Sequence, residues 1–479
     1  MNRRRHGRLT TAVLLVLSGG VGLLVGCGGG ETPNRSGTTP PGTAPTITST
    51  PSAVATVGQV YSYVVTAVGN PAPAISASGL PGWLQCTGSL LEGTPGTADV
   101  GLTGSITVTA TNGVAPDASQ FFRLQVASPG PFSRSSHTVG SGPTGVAIGD
   151  LDGDGRLDIT VANGGSDDVS LLYQTASGGF VESRMAVPDV SAVATGDLNH
   201  DGRADLVCAS AVAGELRIYA QNPQGDLVQI GLNPYVIVPT TVGVCLGDVN
   251  DDGRQDLVAA SSDPAGGSLS VYHQDASGAL TPMAGSPMFM GPSASALALG
   301  DWSDDGRTDA AVVYAASPGY LAMYPQNVQG QLVPAAAAWS VGTDPSAMAA
   351  GDLNGDGRAD LAIANAGSND VTVYLQRAGG GLTQPTTPSL AVGTAPSAIA
   401  VADLNGDGRA DLAVTNSRSN DLTLYLQDVH GSLYESTTSP YPTGQSPAHL
   451  ATGDLDGDGR TDLVVANRGS DDATVYLQQ

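Results

Sequence analysis

Asp352-Leu353-Asn354-Gly355-Asp356-Gly357-Arg358-Ala359-Asp360 decides the architecture of this chain, because it does not stand alone. The same nine-residue pattern, Asp-x-(Asp/Asn/Ser)-x-Asp-Gly-Arg-x-Asp, begins at Asp150, Asp197, Asp248, Asp301, Asp352, Asp403 and Asp454, at spacings of 47, 51, 53, 51, 51 and 51 residues. A period near fifty is the size of a four-stranded propeller blade. Around the fifth copy, an apolar run at 346–350 enters the pattern and another at 361–364 leaves it. A polar turn, a third strand at 371–375 and an outer strand near 390–392 complete the unit. Residues 129–479 are therefore expected to form seven blades. The seventh repeat ends after its third strand, and 132–139 stands where an outer strand precedes the next blade. Pairing these two segments would close the ring and remove its open edges, whereas an open solenoid would need capping repeats.

The acids of the pattern are concentrated. Positions 1, 3, 5 and 9 of the seven copies hold 23 of the 44 Asp and Glu residues, the main source of a formal charge of −25. Calcium takes six to eight oxygens, and loops supply them from alternate positions together with a backbone carbonyl. In the first copy Asp150, Asp152 and Asp154 stand at positions 1, 3 and 5, the carbonyl of Arg156 at 7 and Asp158 at 9. Gly155 at position 6 allows the positive φ that bends the chain round an ion. The opening resembles an EF-hand loop, but the Glu at position 12 is missing and the flanks are strands, so an EF-hand is rejected. One such loop can also be an Asp/Gly hairpin without metal; seven copies weigh against that reading for the array, while leaving it open for any single loop.

A nine-residue acidic loop between two strands of a blade resembles the FG-GAP/VCBS repeat, the repeat of the integrin α-chain propeller. The resemblance covers residues 129–479. It implies that each loop joins the inner two strands of a blade and holds one structural Ca2+, up to seven in all. Carried over position by position, the ligands are Asp150, Asp152, Asp154, Arg156 and Asp158; Asp197, Asn199, Asp201, Arg203 and Asp205; Asp248, Asn250, Asp252, Arg254 and Asp256; Asp301, Ser303, Asp305, Arg307 and Asp309; Asp352, Asn354, Asp356, Arg358 and Asp360; Asp403, Asn405, Asp407, Arg409 and Asp411; and Asp454, Asp456, Asp458, Arg460 and Asp462, each arginine through its carbonyl. The arginine side chains are expected to pair with neighbouring acids, with a ligand-binding role as the competing reading. Unequal sites are expected: loops one and seven carry four carboxylates, loop four has the short Ser303, and loops two to four have His200, Asp251 and Asp304 at position 4 where the others have Gly.

Upstream of the repeats, residues 1–26 have a basic start and an apolar run over 9–25 that ends in Leu24-Val25-Gly26-Cys27. This is a secretory leader, and its end resembles a bacterial lipobox. The resemblance implies cleavage before Cys27 and lipidation of its thiol, giving a membrane anchor. An ordinary signal peptide or an N-terminal membrane helix would share the apolar run. Gly28, by resemblance to Gram-negative lipoproteins, implies the outer membrane and the cell surface. Residues 27–43 are the lipidated Cys and a flexible Gly/Pro/Thr linker. In 44–128, alternating runs at 60–65 and 104–110 with Gly/Pro turns predict a β-sandwich. The pieces VGQVYSYVV (57–65), GLPGWL (79–84), LLEGTPGT (90–97) and TVTATNGVAPDASQFF (107–122) resemble a bacterial Ig-like family of surface proteins. Trp83 is expected in its core rather than as a sugar platform. The fold class is thus all-β, a seven-bladed β-propeller preceded by an Ig-like sandwich.

The acidic balance and the absence of lysine exclude nucleic acid as a partner, since phosphate binding needs clustered basic residues. The histidines, at 6, 137, 200, 273, 430 and 449, form no nucleophile or metal motif. Cys86, Cys208 and Cys245 fit no complete disulfide framework; Cys208 and Cys245, on strands of neighbouring blades, are expected as buried free thiols rather than a bridge. On the face opposite the acidic loops, four blades write the turn between strands two and three alike, at 163–168, 365–370, 416–421 and 467–472. Blades two to four break that pattern at 210–215, 261–268 and 314–320. Integrin propellers place ligand contacts on this face, so Tyr314, Tyr320, Asp263 and Glu215 are candidate ligand-facing residues, with drift in idle loops as the other reading. The whole reads as a monomeric, surface-anchored protein that binds a protein or glycan. The alternatives are a calcium-dependent polysaccharide lyase or hydrolase and an envelope scaffold.

Overall fold

The computed structural model describes residues 42–479 apart from 57–59, 97–98, 100, 128–131, 211, 238–239, 263–265, 292, 317 and 388. The leader, Cys27, most of the linker and Asp263 lie outside the described residues. The chain divides into two compact units, Met1–Ser128 and Pro129–Gln479, and the regular elements among the described residues are all strands.

In the first unit the strand Ile106–Thr111 buries every second residue, Ile106, Val108 and Ala110. That is the period of a sheet with one face on a core. It is flanked by Ala118–Phe122 and Ala74–Ser78, and a second three-stranded sheet is made of Tyr61–Val64, Leu90–Gly93 and Leu84–Thr87. Tyr61, Tyr63, Leu84 and Leu91 join Ile106 and Val108 in one apolar cluster. Trp83 packs on that cluster, edge-on to Tyr61 with ring centroids 6.3 Å apart.

In the second unit seven sheets follow one another among the described residues. Blade five shows the plan. Pro345–Gly351 pairs with Asp360–Asn365, which pairs with Asp370–Gln376, which pairs with Leu382–Thr383 and Ser389–Ala391. All six residues of Asp360–Asn365 are buried, as they are in every other second strand of the ring. A strand covered on both faces reads as a continuous apolar run, which is why Leu361-Ala362-Ile363-Ala364 shows no alternation. Seven apolar clusters sit between neighbouring blades. Val146, Ile159 and Val161 of blade one share theirs with Leu455, Val464 and Val475 of blade seven. The circuit therefore closes. Phe132–Thr138 supplies the outer strand of blade seven by pairing antiparallel with Asp472–Gln478, in register from Phe132–Gln478 to Thr138–Asp472. Each blade buries its faces only against its neighbours, so this last pairing completes the core of the whole ring.

The first strands line a central channel of about 380 Å³. His449 and Cys245 face it. Cys245 and Cys208 are free thiols on adjacent blades, and burial pushes both up to about 12.

Candidate metal loops and the opposite face

Each acidic loop leaves the first strand of a blade and enters the second, and one hydrogen-bond frame builds all seven. The position 1 carboxylate accepts the amide of position 5 at 3.0–3.2 Å on one oxygen. Its other oxygen accepts the amide of position 6 at 2.7–2.9 Å. The glycine at position 6 holds φ between 79° and 87° throughout. Position 4 is also left-handed: glycine in four loops, but His200, Asp251 and Asp304 at φ of 61°, 64° and 58° in loops two to four. A side chain there carries steric strain that glycine avoids. Glycine at position 4 also donates its amide to position 1, as Gly153 does to Asp150 at 2.7 Å.

Position 9 is the buried end of the frame. Asp158 has no solvent exposure; its oxygens accept the amides of Leu151 and Gln174 at 2.9 and 2.8 Å. Burial pushes its carboxyl up to about 6, against the pull of those two amides, and Asp152 and Asp150 add to the rise. Asp205, Asp256, Asp360, Asp411 and Asp462 are raised to about 6 mainly by the same burial, and Asp309 is raised as well. Among the described residues no ion pair reaches position 9. The arginine of position 7 is engaged elsewhere: it pairs with the carboxylate of position 5 in every loop. Its Nε donates to a third-strand carbonyl, that of Gln174 in blade one at 3.1 Å. These arginines pair with acids of their own loops, as the sequence suggested.

The donor set fits a hard divalent cation. The carboxylates of Asp150, Asp152 and Asp154 offer oxygens within 4.8 Å of one another, and so do those of Asp454, Asp456 and Asp462. Amides occupy only part of the lone pairs of positions 1 and 9. The 23 loop carboxylates minus seven arginines leave 16 negative charges, and seven divalent ions would reduce that to two. Loop four keeps the frame and adds to it. Ser303 turns back to Asp309, its amide 2.9 Å from the position 9 oxygen, and Trp302 replaces the usual aliphatic residue at position 2.

Two features of the loops escaped sequence reasoning. The first is a buried glutamine that ends the third strand in six blades, Gln174, Gln221, Gln274, Gln376, Gln427 and Gln478, and lies two residues past it in blade four as Gln326. Its amide holds position 9, its carbonyl takes the arginine, and it lies 16–18 residues beyond position 9. The side chains of Gln221, Gln274 and Gln427 also donate to the position 1 carbonyl of the preceding blade, at 2.9, 3.2 and 2.9 Å from Asp150, Asp197 and Asp352. A recurrent Tyr-x-Gln, present in six of the seven repeats, was the available signal. The second is a lid. In blades two to six the hairpin turn between strands three and four lies over position 3 of the loop before it. A Cβ on Gly431 would stand 2.0 Å from the Asn354 carbonyl oxygen, and one on Gly225 2.1 Å from that of Asp152.

On the opposite face the four similar turns are structural. Asn163 donates to the Asp168 carboxylate at 2.8 Å, as Asn365 does to Asp370 and Asn416 to Asp421. Ser166, Ser368, Ser419 and Ser470 donate to the same oxygen of their own turns. The fifth residue, left-handed in each, reaches the next blade: Asn369 accepts from the Ala395 amide and Asn420 from that of Ser446.

This overturns the expectation for Tyr314. It occupies the place of Asn365, and Tyr320 that of Asp370. Tyr314 is 1% exposed, stacks on Tyr320 at 4.6 Å and shares a hydrogen bond with the Tyr324 hydroxyl at 2.8 Å. An aromatic stack replaces the Asn–Asp bond, so Tyr314 is a core residue and cannot face a ligand. Tyr320 is half-buried in the same stack, and Glu215 pairs with Arg217 at 3.2 Å.

Comparison with known proteins agrees with this geometry. The family described as FG-GAP-like repeat matches residues 150–208, 197–259, 248–312, 312–363, 352–414 and 403–465. No curated protein matches the chain. Among solved structures it is similar to BBS1N, crystallised in complex with ARL6DN, at 14% identity and a TM-score of 0.50 over 72% of this chain and 96% of that one. It also matches a functionally unknown protein from Desulfotomaculum acetoxidans (13%, TM-score 0.48, 64% and 88%) and Sqt1 from Saccharomyces cerevisiae (8%, TM-score 0.46, 72% and 97%).

Proposed function

The chain belongs to the FG-GAP-like repeat family, and on that premise we propose that it is a calcium-fastened, surface-anchored protein that binds a protein or glycan. Propellers of this repeat point to a ligand-binding or scaffold role; adhesion, calcium and anchoring are the proposal. The observation that carries the metal part is the sevenfold frame with its 16 unbalanced negative charges. Positions 1, 3, 5 and 9, with the carbonyl of position 7, would hold each ion. Calcium would supply neutralising charge, while the amides of positions 5 and 6 keep the position 1 carboxylate aimed inward. The arginine of position 7 holds the position 5 carboxylate and ties the loop to the third strand. The ions would fasten blades; recognition would fall to the opposite face, where turns vary from blade to blade. In this reading Cys27 carries the lipid, the linker lifts the folded part off the membrane, and residues 44–128 are an Ig-like spacer. The chain acts as a monomer, outside the cell.

Two measurements test this. Equilibrium dialysis with metal analysis should find several calcium ions per chain, up to seven. A glycan array and a cell-adhesion assay, with and without calcium, should find a ligand bound by the calcium-loaded form. Absence of bound calcium would remove the metal claim. Product released from a polysaccharide panel would favour the enzyme over the binder.

A further inference from the structure

The arginines of the propeller are nearly all spoken for. Seven pair within the acidic loops. Arg184 pairs with Glu182 and Arg217 with Glu215, and Arg134 donates to the Thr443 carbonyl. Arg377 lies in a hairpin turn on the acidic-loop face. Arg377 has no ion pair there among the described residues, and on the opposite face Arg418 and Arg468 remain. Both are exposed, neither has an ion pair among the described residues, and both line the same cavity of about 660 Å³ on the opposite face, between blades six and seven. In a chain with a net charge of −25, two unpaired guanidinium groups at one cavity form a local reversal of sign.

The cavity is built on fixed backbone. The Arg418 amide donates to Thr394 at 3.1 Å, and the Arg468 amide donates to Ser446 at 3.0 Å. Asn420 takes the Ser446 amide at 2.7 Å, which ties the two blades together across the floor. The guanidinium groups are left free above this frame. Ser417, Asn420, Gln445 and Ser446 add hydroxyl and amide groups to the lining, and no carboxylate lines it.

We propose that this cleft is a binding site for the carboxylate groups of an acidic oligosaccharide. Planar guanidinium groups match carboxylates bidentately. The hydroxyl and amide lining suits sugar hydroxyls, and the volume is within the range of small-ligand pockets. The proposal deepens the ligand-binding reading above and rests on it. It places recognition in the regular sector of the ring rather than in divergent blades two to four.

The test uses the full chain with calcium present. Oligogalacturonate, a neutral galacto-oligosaccharide of equal length and poly-glutamate are titrated calorimetrically. Wild type should bind the uronate, with affinity falling as salt rises, and should ignore the neutral sugar. R418Q and R468Q should each weaken binding several-fold, and the double variant at least tenfold, with melting temperature unchanged because both side chains are exposed and unpaired. R418K/R468K should recover part of the loss. Equal binding by wild type and the double variant, no uronate binding, or poly-glutamate binding as tight as the uronate overturns the proposal. If arrays or adhesion assays then reveal a ligand that the double variant still binds, the ligand-binding reading stands and only the cleft assignment fails.

Discussion

Replacing Gly431 by alanine separates two costs that are usually confounded. Gly431 sits at φ 75° in the turn of blade six, where its amide donates to Asp428 at 3.0 Å. Gly178 occupies the same place in blade one, at φ 78°, with its amide 2.9 Å from the Thr175 carbonyl. Alanine in a left-handed conformation costs about 1–2 kcal/mol at either position. Only at Gly431 does the new methyl meet another blade. It would stand 2.0 Å from the Asn354 carbonyl oxygen and 2.7 Å from the carbonyl carbon, whereas nothing lies within 4 Å of the equivalent point on Gly178. A Cβ essentially never comes closer than 3.0 Å to another heavy atom, so the turn of blade six must withdraw by about 1 Å or more, or loop five must deform, at an overpacking cost of about 1–3 kcal/mol. Urea unfolding of both variants should therefore show Gly431→Ala less stable than Gly178→Ala by about 1–3 kcal/mol. If loop five holds calcium, Gly431→Ala should also lower the number or affinity of bound ions while Gly178→Ala leaves them unchanged. Equal destabilisation by the two substitutions would refute the lid over the acidic loop.

Other outcomes follow from the same contacts. Chelation should lower the melting temperature, because a ligand present at a hundredfold excess over its dissociation constant stabilises by about 2.7 kcal/mol per site; identical melting curves in calcium and in excess chelator would remove the metal claim. Tyr314→Ala should destabilise by about 3–5 kcal/mol as a buried aromatic is lost and leave binding of any ligand identified by array intact; Tyr314→Phe should cost about 1 kcal/mol for the Tyr324 hydrogen bond. His449 is solvent-exposed within the channel; the protein packed around it lowers its pKa, and its Nδ1 accepts the Val146 amide at 3.4 Å. The neutral ring is therefore the native form, and the unfolded chain takes up more protons as pH falls through about 6.5. Stability from this group is present above that pH and lost below it. The melting temperature of wild type should fall more between pH 7.5 and 5.5 than that of His449→Asn; Cys245, the neighbouring thiol in the channel, does not titrate in this window because burial holds it near 12. Equal falls would contradict the assignment.

The sequence alone determined the blade. A fifty-residue period, a buried second strand reading as an unbroken apolar run and an acidic loop with a left-handed glycine are all local facts, governed by neighbours within one repeat. It also anticipated Phe132–Thr138 as the outer strand of blade seven, because an unpaired strand at one end and a missing one at the other have a single economical solution. What it misjudged lies in side-chain packing, two cases within a blade and two between blades. Tyr314 in a divergent turn looked exposed, and only packing turned it inward onto Tyr320 and Tyr324. The glutamine at the close of each third strand drew no reading from the sequence, and only the fold sets its amide on position 9 of its own blade. Gly431 was one turn glycine among 65 until Asn354 of the preceding blade came to lie against it. The pairing of Arg418 with Arg468 across two blades, fifty residues apart, is of the same kind. Hydrogen bonding within a strand–loop–strand unit depends on nearby residues and can be read in order along the chain. Which side chains meet across a closed ring depends on how blades pack, and that was decided only when the ring closed.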